Sequence, residues 1–218
     1  MRLAILGGSG RTGSFLIKEG LERGHEISAL VRSPEKMQIN SPDLHLIQGS
    51  SIELEDVRQT LHDGDAVISA LNVNRTSDLP WAKLQSPPDL ISASIKNAIV
   101  AMHDENIKRI VVVSAYGVRD TKAALGAFGT FFLYHTKIKY AYLDHARQEE
   151  LLEASDLDFT AVRPTRLSNK EPFGDIVVSF NGIPKPRFSI SRKTLARFIL
   201  NIVENGQYVR QFPVVSEK

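Results

Sequence analysis

The chain contains no cysteine. That excludes a disulfide framework, thiolate zinc and iron–sulfur sites, and a cysteine nucleophile. Long apolar runs are missing too. Only Leu3 to Leu6 stand between Arg2 and the first glycine, against the roughly 7–15 residues of a secretory core. The longest apolar-rich stretch, Ala123 to Tyr134, falls short of the ~20 residues of a membrane span. Charge of one sign is scarce: 27 Lys and Arg face 25 Asp and Glu, for a formal charge of +2. With no basic block, no nucleic-acid partner is indicated. The six histidines show no metal-ligand spacing, and neither a Gly-x-Ser-x-Gly elbow nor a Walker lysine occurs. The expectation is a cytoplasmic protein with no membrane, nucleic-acid or metal partner.

What is present is a chain of 218 residues, 42% apolar, long enough for one sizeable core. Short apolar runs recur at Leu3–Leu6, Ile27–Val31, Leu44–Ile47, Ala66–Leu71, Arg109–Ser114 and Phe159–Arg163. They are continuous rather than alternating, as in parallel strands buried on both faces. Helical patterns lie between and after them, at about Asp89–Asn106, Thr136–Ala154 and Arg192–Glu204. This alternation predicts an α/β fold, a doubly wound parallel sheet in one domain. Two stretches stand outside it and read as long loops: Asn72–Pro88, with the lone Trp81, and Ala115–His135, with Phe128, Phe131, Phe132 and Tyr134. Residues 164–218 carry Pro172, Pro184 and Pro186 and read as a small C-terminal lobe on the substrate side.

The first strand runs into Gly7-Gly8-Ser9-Gly10-Arg11-Thr12-Gly13, and a helix follows. Gly7 permits a tight turn. Gly10 lets backbone approach a pyrophosphate, and Gly13 lets helix pack on strand. The helix start then offers amides and a positive dipole end to phosphates. Ser9, Arg11 and Thr12 complete the candidate cradle. The second strand ends Leu30-Val31-Arg32-Ser33-Pro34. An NAD-binding site places a carboxylate there for the ribose 2′-hydroxyl; none occurs. Arg32 is the candidate for a 2′-phosphate and Arg11 a second, since guanidinium suits phosphate. The expected cofactor is NADP(H), ahead of NAD(H). The competing reading of Arg32 is a solvated charge at a strand end.

These residues resemble the atypical short-chain dehydrogenase/reductases, above all the NmrA-like proteins and the NAD(P)H-dependent flavin reductase/biliverdin reductase B type. The resemblance also rests on Asp65-Ala66-Val67-Ile68, Val112-Val113-Ser114, Glu149-Glu150-Leu151-Leu152, Ala161-Val162-Arg163-Pro164 and Ile190-Ser191-Arg192. It implies a Rossmann-like fold and further cofactor contacts at Ala70, Leu71 and Asn72. It also implies Ser114 beside the nicotinamide and Pro164 and Thr165 at its carboxamide. Two departures stand out. Where many members read Gly-Asp after the third strand, this chain has Gly49-Ser50-Ser51, which leaves Ser50 as the adenine contact. The Tyr-x-x-x-Lys pair of typical members is also missing: His145 falls at the lysine and Ala141 at the tyrosine, flanked by Tyr140 and Tyr142.

Without that pair, reversible alcohol oxidation is disfavoured. Hydride transfer needs mainly an oriented acceptor, and planar acceptors stack on aromatic rings. The leading expectation is an NADPH-dependent reductase of a flavin or similar planar small molecule. Ser114, Tyr116 and His145 are its polar candidates near the reacting atoms. Trp81, Phe128, Phe131 and Phe132 are its acceptor platform. His145, one heptad from Ile138 and Leu152, faces inward on its helix. The alternative is a redox sensor of the NmrA-like kind that binds NADP(H) without turnover. The chain is expected as a monomer or homodimer.

Overall fold

The computed structural model describes residues 1–172 and 174–218. In chain order the elements are β1 (Arg2–Leu6), α1 (Gly13–Glu22), β2 (Glu26–Val31), β3 (Leu44–Gln48), α2 (Leu54–Leu61), β4 (Ala66–Ser69) and α3 (Leu90–Asp104). Then come β5 (Arg109–Val113), α4 (Gly126–Tyr134), α5 (Lys139–Ala154), β6 (Asp158–Pro164), β7 (Arg166–Ser168) and β8 (Ile176–Ser179). Last are β9 (Ser189–Ser191), α6 (Arg192–Glu204) and β10 (Val214–Glu217).

Eight strands form one sheet in the order β3-β2-β1-β4-β5-β6-β10-β8. Its pairings are parallel except β10 with β8. The chain leaves β1 in one direction for β2 and β3, and crosses back to β4 for the other half. That reversal opens a crevice at the carboxyl ends of β1 and β4, where such sheets take ligands. The expected doubly wound α/β architecture is present.

The apolar strand runs are explained by two cores. On one face Ile5, Ala29, Ile68 and Val111 pack against Leu16 and Ile17 of α1 and Leu195, Ile199 and Ile202 of α6. On the other, Leu6, Val67, Ile110 and Val112 pack against Ile95 and Met102 of α3, Val57 of α2 and Leu152 of α5. Successive strand residues serve opposite faces, so neither face can be polar.

The structure departs from the sequence expectations in three places. Residues 115–135 are not a structureless loop: a 3-10 turn covers Arg119–Leu125 and α4 follows. α4 is apolar on every side, so its sequence shows no stripe to mark a helix. The run from Ala66 leaves the sheet at Ser69, because Ala70 and Leu71 back onto Gly7. The residues after Pro164 divide between two structures: β8 and β10 extend the main sheet, while β7 and β9 pair in a ribbon of their own.

Candidate functional site

The β1–α1 corner turns on glycines where a side chain would not fit. Gly7 has φ +85, and a Cβ on it would sit 3.1 Å from the Ala70 carbonyl carbon and oxygen. Gly10 donates its N–H to the Gly7 carbonyl at 3.0 Å. A Cβ on Gly13 would overlap that same carbonyl oxygen. The turn therefore folds onto itself through backbone alone. α1 starts at Gly13 with no side-chain cap. Among the described residues, the N–H groups of Arg11, Thr12 and Gly13 find no acceptor. Helix starts ordinarily satisfy such donors, and a row of free amides at the dipole's positive end fits a phosphate. Ser9 lies exposed on the rim and Thr12 is buried beneath it.

Two arginines border this corner. Arg32 is exposed at the end of β2 and makes no ion pair among the described residues. Arg11 is held: its two terminal nitrogens donate to the Asp78 carboxylate at 2.7 and 2.8 Å. Those bonds keep the Asp78 carboxyl below its usual range. Asp78 belongs to the strap of residues 72–88, whose far side is tied down by the Lys137 N–H donating to the Pro80 carbonyl at 2.9 Å. The strap thus spans from the glycine turn to the junction of α4 and α5. It carries Asn72, exposed, and Trp81, 69% exposed.

Ala70 and Leu71, half-buried, form the crevice wall beside Gly7. Ser50, half-buried, follows β3 and donates its N–H to Asp56 at 2.8 Å. Pro164 and Thr165 are buried where β6 ends, with the Pro164 carbonyl accepting from Tyr116 N–H at 3.0 Å.

The three polar candidates do not share one environment. Ser114 donates its hydroxyl to Glu149 at 2.7 Å and is 3% exposed. Glu149 is in turn gripped by Arg163 through bonds of 2.9 and 2.7 Å. Arg163 reaches Asp120 at 2.8 Å and lies over the Phe212 ring. His145 is also enclosed, with its Nδ1 facing Gln148 Nε2 at 3.3 Å. Burial pushes its pKa down to about 4, so the imidazole is neutral at neutral pH. Tyr116 alone stays half-buried at the surface. Of the aromatics, Phe128 is 84% and Phe131 61% exposed on α4, with Phe131 stacked on His135. Phe132 is partly covered. Sequence reasoning missed the strap contact of Asp78 and the buried Glu149–Arg163 pair. Each joins residues far apart in the chain and leaves no local signal.

His62, Asp63 and Glu105 come together elsewhere, near Arg2 at the opposite end of β1. Both His62 and Asp63 are exposed, and the grouping has no bearing on the crevice. Among the described residues no helix is long and apolar enough to cross a membrane.

A parallel sheet with a bare strand-to-helix turn at its switch point defines a Rossmann-type dinucleotide-binding protein. A family model described as NAD(P)H-binding matches residues 7–206. The chain belongs to that family. An uncharacterized chloroplastic protein of Arabidopsis thaliana is 25% identical over 183 residues, 81% of this chain. This chain spans 63% of that relative's length, and 31% of the uncharacterized protein YwnB of Bacillus subtilis, which is 36% identical over 72 residues. Among solved structures, a short-chain dehydrogenase/reductase from Veillonella parvula in complex with NADP has TM-score 0.78 at 18% identity, covering 99% of this chain and 94% of its own. An anaerobilin reductase from Escherichia coli has TM-score 0.79 at 15% identity, covering 100% and 97%. These likenesses are of fold.

Proposed function

We propose that the protein is an NADPH-dependent reductase of a flavin or similar planar conjugated acceptor. The observation that carries this is the turn from Gly7 to Gly13, with no room for a side chain at Gly7 or Gly13 and with amides that find no acceptor among the described residues. Bound there, the dinucleotide supplies the hydride, and the chain's task is to bind and orient. The amides of Arg11, Thr12 and Gly13 hold the pyrophosphate. Arg32, exposed and without an ion pair among the described residues, takes the 2′-phosphate. NAD(H) would meet the same guanidinium and no carboxylate at that strand end, so it is the weaker ligand. Ser50, Ala70, Leu71 and Asn72 line the adenosine side, and Pro164 and Thr165 the nicotinamide side.

Ser114 and His145 are enclosed, so neither side chain is offered to the acceptor. Tyr116 and the rings of Trp81, Phe128, Phe131 and Phe132 are left to meet the acceptor. A conjugated acceptor suits such a site, since it stacks on rings and asks for no strong acid. The enclosure of Ser114 and His145 also favours a second reading, a sensor that binds NADP(H) and does not turn over.

The test is fluorescence titration of the purified protein with NADPH and NADH, then NADPH consumption with FMN, riboflavin and a quinone. Tighter NADPH binding with steady consumption supports the reductase. Tight binding with no consumption on any acceptor selects the sensor. No affinity for any adenine dinucleotide ends both readings.

A further inference from the structure

The composition of α4 does not match its exposure. Its nine residues are apolar or glycine except Thr130 and Tyr134, and none of the nine is buried. A helix apolar on every side is ordinarily enclosed, in a core or in lipid. The two hydroxyls do not make its outer surface polar, because both are spent inward. Tyr134 donates to the Gly117 carbonyl at 3.1 Å, and Thr130 to the Lys122 carbonyl at 3.3 Å. Phe128, Phe131 and Phe132 are spaced by three and four residues, so they fall on one side of the helix, and all three are exposed. The strap brings two more apolar groups close to the end of this helix. The Lys137 N–H donates to the Pro80 carbonyl at 2.9 Å, and Leu79 and Trp81, on either side of Pro80, are 68% and 69% exposed.

The charges around α4 are of one sign. From Thr121 to Leu143 the chain carries Lys122, Lys137, Lys139 and His135 and no Asp or Glu. The carboxylates that flank this stretch, and the one on the strap, are committed inside the chain. Asp120 pairs with Arg163 at 2.8 Å, Asp144 accepts from the Ile91 N–H at 2.7 Å, and Asp78 holds Arg11 at 2.7 and 2.8 Å. We propose that α4, with Leu79 and Trp81, is a docking surface for an anionic lipid bilayer, its rings at the acyl boundary and its lysines among the headgroups. Aromatic rings flanked by lysines, with no free carboxylate, suit that boundary. The helix is about 13 Å long, far short of the ~30 Å hydrocarbon core, so it lies along the membrane and does not cross it. The expectation of no membrane partner rests on the want of a spanning segment, which an interfacial helix does not need. A second copy of the chain is the weaker occupant. A two-fold contact sets a surface against itself, and this one brings Lys122, Lys137 and Lys139 towards their own copies with no carboxylate to answer them. The inference goes beyond the reductase reading and does not depend on it; in lipid-free solution the same rings stay open to an acceptor.

Trp81 is the single tryptophan of the chain, so docking can be read without a label. The full chain is mixed with vesicles of phosphatidylcholine alone and of phosphatidylcholine with about 30% phosphatidylserine, and Trp81 emission and co-sedimentation are measured. With the mixed vesicles the emission should shift to the blue and the protein should sediment. Both effects should weaken as salt is raised to about 0.5 M. Phe128→Ser combined with Phe131→Ser should lower the partition about tenfold or more. Lys122→Gln and Lys137→Gln should each lower it about fivefold, the scale of one cation at an anionic surface. Should the paired ring variant fail to fold, the lysine variants carry the test alone. Docking is overturned if the wild type neither sediments with the mixed vesicles nor shifts its emission, or if the ring and lysine variants partition as the wild type does. Equal partition into phosphatidylcholine alone overturns the anionic partner. A wild-type dimer in sedimentation velocity that the paired ring variant makes monomeric assigns the face to a second copy and overturns the membrane. Failure of the wild type to bind NADPH would instead count against the reductase and sensor readings, and the vesicle measurement then decides docking by itself.

Discussion

The Ser114 hydroxyl and the Glu149 carboxylate share a hydrogen bond of 2.7 Å inside the protein, where Glu149 is fully buried. That bond ties the end of β5 to α5. Arg163 adds β6 through two bonds to the same carboxylate, and Asp120 adds the turn before α4. One carboxylate thus ties together β5, α5, β6 and, through Arg163, the turn before α4.

Glu149→Gln should accordingly be severe. It leaves Arg163, 2% exposed, with only the exposed Asp120 as a charged partner. Breaking a buried pair from one side costs about 3–5 kcal/mol, far more than a surface bridge. Denaturant unfolding should show a loss of that order. A loss below about 1 kcal/mol, the range of an exposed pair, would mean that solvent reaches Arg163 and that the network is not a structural tie.

His145 makes stability depend on pH. Its ordinary value is 6.5 and burial pushes it down to about 4. A group lowered in the folded state binds fewer protons there than in the unfolded chain. Its stabilising contribution is therefore complete above about 6.5 and is lost as pH falls through about 4. The size at stake is about 3 kcal/mol, the linkage value of a shift between those two figures. His145→Gln should flatten the profile between them. Urea unfolding of both proteins across that window checks this, and parallel profiles would show that the imidazole is not buried neutral. Asp144, raised by burial, has the opposite sign, but it is present in both proteins and cancels in the difference.

Parts of the molecule were plain in the sequence and parts were not. The corner from Leu3 to Gly13 was legible because its information is local: a short apolar run, glycines at fixed offsets, then a helix. The α6 helix was legible for the same reason, since Leu195, Ile199 and Ile202 form one stripe and Ser191 caps it by accepting from Thr194 N–H at 3.0 Å. α4 was not, because glycines and phenylalanines cover its whole circumference and no period survives. β8 and β10 are four residues each, too short to stand out among prolines. Arg11 shows the limit for the site. Its place in the glycine turn is visible, whereas its carboxylate partner lies 67 residues away. Arg192 was visible as part of a motif, but its burial without a carboxylate partner among the described residues is a property of the folded chain alone.

Arg32 should decide which dinucleotide binds. It is exposed and carries no partner among the described residues, so Arg32→Glu leaves the fold's stability within about 0.5 kcal/mol, as surface changes do. Affinity for NADPH should fall about tenfold to a hundredfold through loss of a charge-assisted phosphate contact and gain of a repulsive one. NADH affinity should hold or improve, since a carboxylate at that strand end can accept from the ribose 2′-hydroxyl. Paired fluorescence titrations measure both. An unchanged ratio of the two affinities would return Arg32 to the role of a solvated strand-end charge.

The α4 rings separate an acceptor platform from ordinary packing. Phe128 and Phe131, at 84% and 61% exposed, contribute little buried area, so Phe128→Ser and Phe131→Ser should each change unfolding free energy by no more than about 0.5 kcal/mol. Were they core residues, truncation would cost about 3–5 kcal/mol. If instead they meet a planar acceptor, the loss appears in turnover. KM for the acceptor should rise about three- to tenfold per ring, the scale of one stacking contact, while NADPH affinity stays unchanged. Trp81→Ser belongs to the same test, because the strap that carries it is fastened to the α4–α5 junction through Pro80 and Lys137. Unaltered KM in all three variants would leave the rings with no part in acceptor binding and confine recognition to the interior of the crevice.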